Sequence, residues 1–174
     1  MGKILKLAVF LAVISGLSGL MLSYVNDLTA PIIEQQQIAA VQESLSVLYG
    51  EGETFEPVDA ELPEETAITS IYSVNKDGAV AGYVYQCAVQ GYGDEVTFMV
   101  GINTDGTYQG FVPINYSGET SGFGSRIADS EFTSQFDASS IDDGVDTLSG
   151  ATITSGAVVD GVNEAVEHFN ANYR

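Results

Sequence analysis

Residues 146–162 read DTLSGATITSGAVVDGV, with three Thr, two Ser and three Gly just ahead of a helix-like run. Small residues let another group approach the backbone closely. Hydroxyls at a helix start either cap the helix or handle a phosphate. Capping by Thr154 or Ser155 accounts for one hydroxyl. It leaves unexplained why Asp146, Ser149, Thr152, Thr154 and Ser155 all gather around Gly150 and Ala151. The exposed N–H groups and positive dipole end of such a helix suit an anion. A second stretch, SGETSGFGSR at residues 117–126, holds three Gly and three Ser around Glu119, Thr120 and Phe123. Such a loop can lay its backbone against a flat ligand while Phe123 adds apolar contact, and it can equally be a plain turn.

Other chemistries lack their residues. One cysteine, Cys87, can form neither an internal disulfide nor a Cys-based zinc or iron–sulfur site, and its apolar surroundings place it in the core. The one histidine, His168, falls near the end of the last helix, a fraying tail on which no Ser/His/Asp site can be built. No G-x-G-x-x-G follows a strand, so no dinucleotide site is expected. Residues 137–146 are acidic but lack the alternation and closing Glu of a calcium loop. No metal site is expected.

The chain of 174 residues carries 24 acidic and 5 basic residues, a net charge of −19. Lys3 and Lys6 lie at the extreme N-terminus, so the rest sets three basic residues against 24 acidic ones, a balance of −21. Such a surface repels phosphate backbones and argues against nucleic acid as a partner. Residues 7–25 hold 19 positions without a charge, and at ~1.5 Å per residue they span roughly 28 Å, close to the hydrocarbon core of a bilayer. Lys3 and Lys6 before the span and Asp27 after it put the N-terminus in the cytoplasm and the body outside. The length of the run and the lack of an A-x-A site favour an uncleaved anchor over a signal peptide. Ser15 and Gly19, small and four apart, could pack it against a neighbouring helix.

After the anchor, Thr29-Ala30-Pro31 starts a helix whose Ile38, Val41, Leu45 and Leu48 share an apolar face. Residues 50–65 are acidic, contain two prolines and read as a loop. Four strands follow at residues 67–74, 79–90, 95–103 and 108–116, joined by short turns at 75–78, 91–94 and 104–107, an antiparallel meander. Pro113 suits an edge or bulged strand. Residues 130–136 form a short helix and 154–169 a longer one. The expected fold is therefore α+β: an anchor (1–28), a helix and acidic loop (29–66), and one domain (67–174) with an antiparallel sheet flanked by helices.

Three motifs then line up. Asp146-Thr147-Leu148-Ser149-Gly150-Ala151-Thr152 resembles the D-x-x-[ST]-G-A-T motif of covalent FMN-binding domains. Glu119-Thr120-Ser121-Gly122-Phe123-Gly124 resembles their E-T-P-G-[LF]-G loop, and Gly91-Tyr92-Gly93 their Gly-Tyr-Gly turn. With its anchor, the chain is similar to the G subunits of Rnf electron-transport complexes, and more distantly to the C subunits of sodium-pumping NADH:quinone reductases. The resemblance implies FMN joined through its phosphate to Thr152 Oγ1 by a separate flavin transferase. Ser149, Gly150, Ala151 and Asp146 would position that group, and Glu119, Thr120, Gly122, Phe123, Gly124 and Tyr92 would line the flavin. Ser121 stands where the family has Pro, which loosens the loop. The implied function is that of an electron-transfer subunit in an ion-translocating oxidoreductase, without a catalytic site of its own, beside other membrane subunits in the cell membrane. A stand-alone extracellular flavoprotein and a non-redox anchored binding module are the alternatives.

Overall fold

The computed structural model describes every residue except Met1, Glu51, Gly52, Glu64 and Asp77; for Leu5 and residues 26–42 it describes the backbone only. The chain divides into two units, Met1–Val41 and Gln42–Arg174. The first unit is helical. Helix α1 (Gly2–Tyr49) starts there, and its Gly2–Val25 stretch is long and apolar enough to cross a membrane. Every described side chain of that stretch is exposed, as a lipid-facing helix requires. The helix runs through Pro31, so the expected start at Thr29 is not found. One missing N–H interrupts a ladder that is already nucleated on both sides, and the helix continues. The side chains of Asp27, Ile38 and Val41 lie outside the described residues.

The second unit is built on a five-stranded antiparallel sheet in the order β1-β2-β3-β4-β5: β1 (Thr54–Pro57), β2 (Ile68–Lys76), β3 (Ala79–Gln90), β4 (Glu95–Asn103) and β5 (Tyr108–Asn115). Alternating β-branched and aromatic residues explain β2 to β5. β1 corrects the sequence reading: residues 54–57 fall in the acidic stretch expected to be a loop, yet pair with β2 from Thr54↔Asn75 to Pro57↔Tyr72. An edge strand needs only one partner and tolerates Pro57 at its end. β5 is the other edge, and Pro113 sits opposite Phe98 beside a register shift, as expected of a bulged edge. Of the expected turns, 91–94 closes with the Gly91 N–H on the Asp94 carbonyl, whereas 75–78 includes Asp77, outside the described residues.

One face of the sheet carries the main core. Helix α3 (Thr152–Asn172) turns Val158, Gly161, Val162, Ala165 and Phe169 inward at helical spacing. A side chain at Gly161 would strike Val89, which measures how closely α3 lies on the sheet. Helix α2 (Ser130–Thr133) and the 3₁₀ turns on either side of it add Ile127, Phe132 and Phe136, with Phe111 and Phe136 stacked at 4.8 Å. The other face is covered by the end of α1, where Leu45 and Leu48 are buried. There the Tyr49 hydroxyl occupies the space a side chain at Gly82 would need and lies 3.3 Å from Asn103 Oδ1.

The C-terminus is tied down rather than frayed. Tyr173 stacks on Tyr83 at 3.8 Å, and the Arg174 guanidinium grips both oxygens of Asp142 at 2.9 Å. His168 Nδ1 lies 3.1 Å from the Tyr85 hydroxyl, and burial lowers its pKa. His168 is thus a packed residue, not part of a loose tail. Cys87 is fully buried, its thiol pushed up by burial and facing the Gly161 carbonyl.

Candidate cofactor site

The site lies where α3 begins. Gly150, at φ +83°, turns the chain, and Ala151 is the N-cap residue, offering no side-chain cap. The expected caps do something else. The Ser155 hydroxyl accepts the Leu148 N–H at 2.9 Å and donates to the Ala151 carbonyl at 3.0 Å, clasping the preceding loop. Thr154 Oγ1 donates to Glu119 Oε2 at 2.6 Å. The helix begins at Thr152, two residues earlier than the hydroxyl pattern suggested, and its N-cap residue makes no side-chain cap.

Thr152, Ile153 and Thr154, with Gly150 and Ala151, line a cavity of about 490 Å³. Tyr92 from the β3–β4 turn and Glu119, Thr120, Phe123 and Gly124 from the loop after β5 complete it. The three motifs quoted from the sequence thus meet around one space. Tyr92 is 69% exposed, Ile153 61% and Phe123 56%, three large apolar side chains left in solvent around the same cavity. Covering each would return roughly 1.5–3 kcal/mol, which favours a flat apolar ligand there.

Glu119 is the polar centre of the site. It is 8% exposed, and its Oε1 accepts the Gly93 N–H at 3.0 Å while Oε2 takes the Thr154 hydroxyl. Burial pushes its carboxyl pKa up, but the Thr154 hydroxyl and the backbone N–H groups of Gly93, Asp94 and Tyr92 outweigh that and hold it below the ordinary value. Side chains at Gly91 or Gly124 would land on its two oxygens. The glycines of two motifs are therefore space left for one carboxylate.

Not every candidate residue reaches the cavity. Asp146, Ser149 and Gly122 are exposed and do not line it. Asp146 is held through its backbone, its N–H to Gln135 Oε1 at 2.7 Å and its carbonyl to Gln135 Nε2 at 3.1 Å. The Ser149 carbonyl accepts from Arg126 Nη1 at 2.8 Å, while the same guanidinium pairs with Glu131. Gly122, at φ +77°, donates its N–H to Ser125 Oγ and shapes the loop. Gln135 and Arg126 escaped the sequence reading, as did Ile153. Ile153 had a signal: it is a large apolar residue out of phase with the buried stripe of α3. Gln135 had none.

A cavity with an apolar rim beside an uncapped helix N-terminus fits a planar ring system carrying a phosphate. An anion there would face the positive helix end, and a ring would find Tyr92, Phe123 and Ile153. Residues 91–167 match the FMN-binding domain family, a class of protein to which this cavity is suited.

Similarity extends beyond that domain. The chain is 32% identical over 181 residues, 97% of its own length and 96% of the relative's, to the G subunit of the ion-translocating oxidoreductase complex of Methanosarcina acetivorans. It is 27% identical over 162 residues (87% and 83%) to the G subunit of the proton-translocating ferredoxin:NAD(+) oxidoreductase complex of Clostridium ljungdahlii. To the Na(+)-translocating counterpart of Acetobacterium woodii it is 28% identical over 193 residues (95% and 91%). Among solved structures, NqrC of Shewanella oneidensis aligns with 64% of this chain and 69% of its own at 20% identity and a TM-score of 0.47. The chain belongs to the G-subunit family of ion-translocating oxidoreductase complexes.

Proposed function

We propose that this protein is a membrane-anchored carrier that relays electrons through an FMN esterified to Thr152, within an Rnf-type ion-translocating complex. One observation carries the choice of acceptor. Three threonines, Thr120, Thr152 and Thr154, line the cavity. Thr154 is committed to Glu119, and of the other two Thr152 alone stands at the uncapped start of α3, with its side chain exposed. Its hydroxyl would lose a proton and accept the flavin-phosphoryl group from FAD, with AMP leaving, in a reaction run by a separate flavin transferase. The resulting phosphodiester keeps one negative charge, suited to the helix N-terminus.

When bound, the flavin supplies one- and two-electron chemistry. The chain's own residues do the rest. Tyr92, Phe123 and Ile153 would cover the ring's apolar surface. Gln135 and Arg126 hold the acceptor loop by its backbone, so the hydroxyl is presented without rearrangement. A covalent link also suits a domain outside the cytoplasm, which could not replace a lost flavin. The cationic N-terminus ahead of the apolar stretch supports a single span with the domain on the extracytoplasmic side. Ion movement and direct reaction with a nicotinamide would fall to other subunits, since no motif of this chain serves either.

The test is a denaturing gel of protein co-expressed with a flavin transferase. The wild-type band and Thr154→Val should fluoresce, and Thr152→Ala should not. Fluorescence retained by Thr152→Ala contradicts the assignment.

A further inference from the structure

We infer that Glu119 is a positioning residue that fastens the first turn of α3 to the β3–β4 turn, so that Thr152 and Ile153 on one element face Tyr92 on the other. This rests on the reading of Thr152 as the flavin acceptor. The resemblance alone gives Glu119 a place against the flavin, yet both of its oxygens are already engaged by the protein. Oε1 holds the Gly93 N–H at 3.0 Å and Oε2 the Thr154 hydroxyl at 2.6 Å. Each partner is next door to a residue of the site: Gly93 to Tyr92, and Thr154 to Ile153. The carboxylate is buried, and the absence of side chains at Gly91 and Gly124 leaves it just enough room. A shorter or apolar residue cannot hold both partners. A glutamine in its place could still take the Gly93 N–H on its oxygen while its NH₂ donates to the Thr154 hydroxyl, so it would keep both partners and lose only the charge. A charge-assisted pair of bonds in a buried place sets geometry as well as stability.

The test uses the flavin-free full chain in detergent, with amide exchange read at two sites. The Gly93 N–H reports the β3–β4 turn, and the Ser155 N–H, bonded to the Ala151 carbonyl at 2.9 Å, reports the first turn of α3. In Thr154→Val, which keeps shape but loses the hydroxyl, both amides should exchange faster, on the order of tenfold, the factor expected of one lost bond to a charged group. Amides in the middle of β3 and β4 should keep their wild-type rates. Thr154→Ser, which restores the hydroxyl, should return both sites to wild type. Glu119→Leu, which removes both oxygens, should speed both amides at least as much as Thr154→Val, and adding Thr154→Val to it should change nothing further. Wild-type exchange at Gly93 in Thr154→Val overturns the inference, as does acceleration that Thr154→Ser fails to rescue. Should Glu119→Leu not fold, the two Thr154 variants still decide.

In flavin-loaded protein, the visible circular dichroism of the flavin should change in Thr154→Val and recover in Thr154→Ser; an unchanged band in Thr154→Val counts against positioning. If wild type takes up no flavin, the acceptor reading fails while the exchange result stands on its own.

Discussion

At the scale of single residues, the site is a contrast between one committed threonine and one free one. Thr154 and Thr152 are two positions apart on the same turn: Thr154 is buried against the Glu119 carboxylate, and Thr152 is exposed at the helix start. That carboxylate has a pH consequence. Its folded pKa lies below its ordinary value, so the folded state binds fewer protons than the unfolded one as pH falls. Its stabilisation is complete above the unfolded value of about 4.3 and is lost as pH drops below that through the folded value. Glu119→Gln should cost about 1–3 kcal/mol at neutral pH, and the difference from wild type should shrink as pH falls below about 4.3 in chemical denaturation. Taking the difference cancels the repulsion among the other acids, which acidification relieves in both proteins. The motif residues could be read from the sequence because their types are restricted by backbone conformation and small size. The Glu119–Thr154 link could not, since it joins a loop and a helix distant in sequence that only the folded domain brings together. Gln135 was invisible for the same reason: a side chain that grips a backbone leaves no pattern.

At the scale of elements, four strands and the last helix were legible because alternation, turn residues and helical spacing agree with the final fold. Two errors have physical causes. β1 is short, acidic and ends in Pro57, so nothing in TFEP signals a strand without its partner β2. Pro31 carries the mark of a helix start, yet α1 passes through it. The end of α1 has a job that its sequence only half disclosed. Val74 and Val84 are fully buried but sit outside the main core, paired across the sheet with Gly82 and Gly101, on the face that Tyr49 covers. A fragment starting at Gln42 should therefore fold and melt cooperatively. A fragment starting at Thr54 loses Leu45 and Leu48 and should be less stable by roughly 3–6 kcal/mol, at about 1.5–3 kcal/mol per leucine. Equal urea midpoints for the two fragments would refute this role for the helix end.

At the scale of the whole molecule, charge dominates. With a net charge of −19, the surface disfavours an added negative charge on a bound flavin. The flavin midpoint potential should therefore rise as salt screens the surface, by roughly 10–30 mV between low and about 0.5 M ionic strength. A potential independent of salt would mean that local contacts such as Tyr92 and Phe123 set it instead. The most direct test of the central claim is the intact mass of the chain after co-expression with a flavin transferase. The account predicts an excess equal to FMN less one water, present in wild type and Thr154→Val and absent in Thr152→Ala. An unmodified wild-type mass, or the same excess in Thr152→Ala, contradicts it.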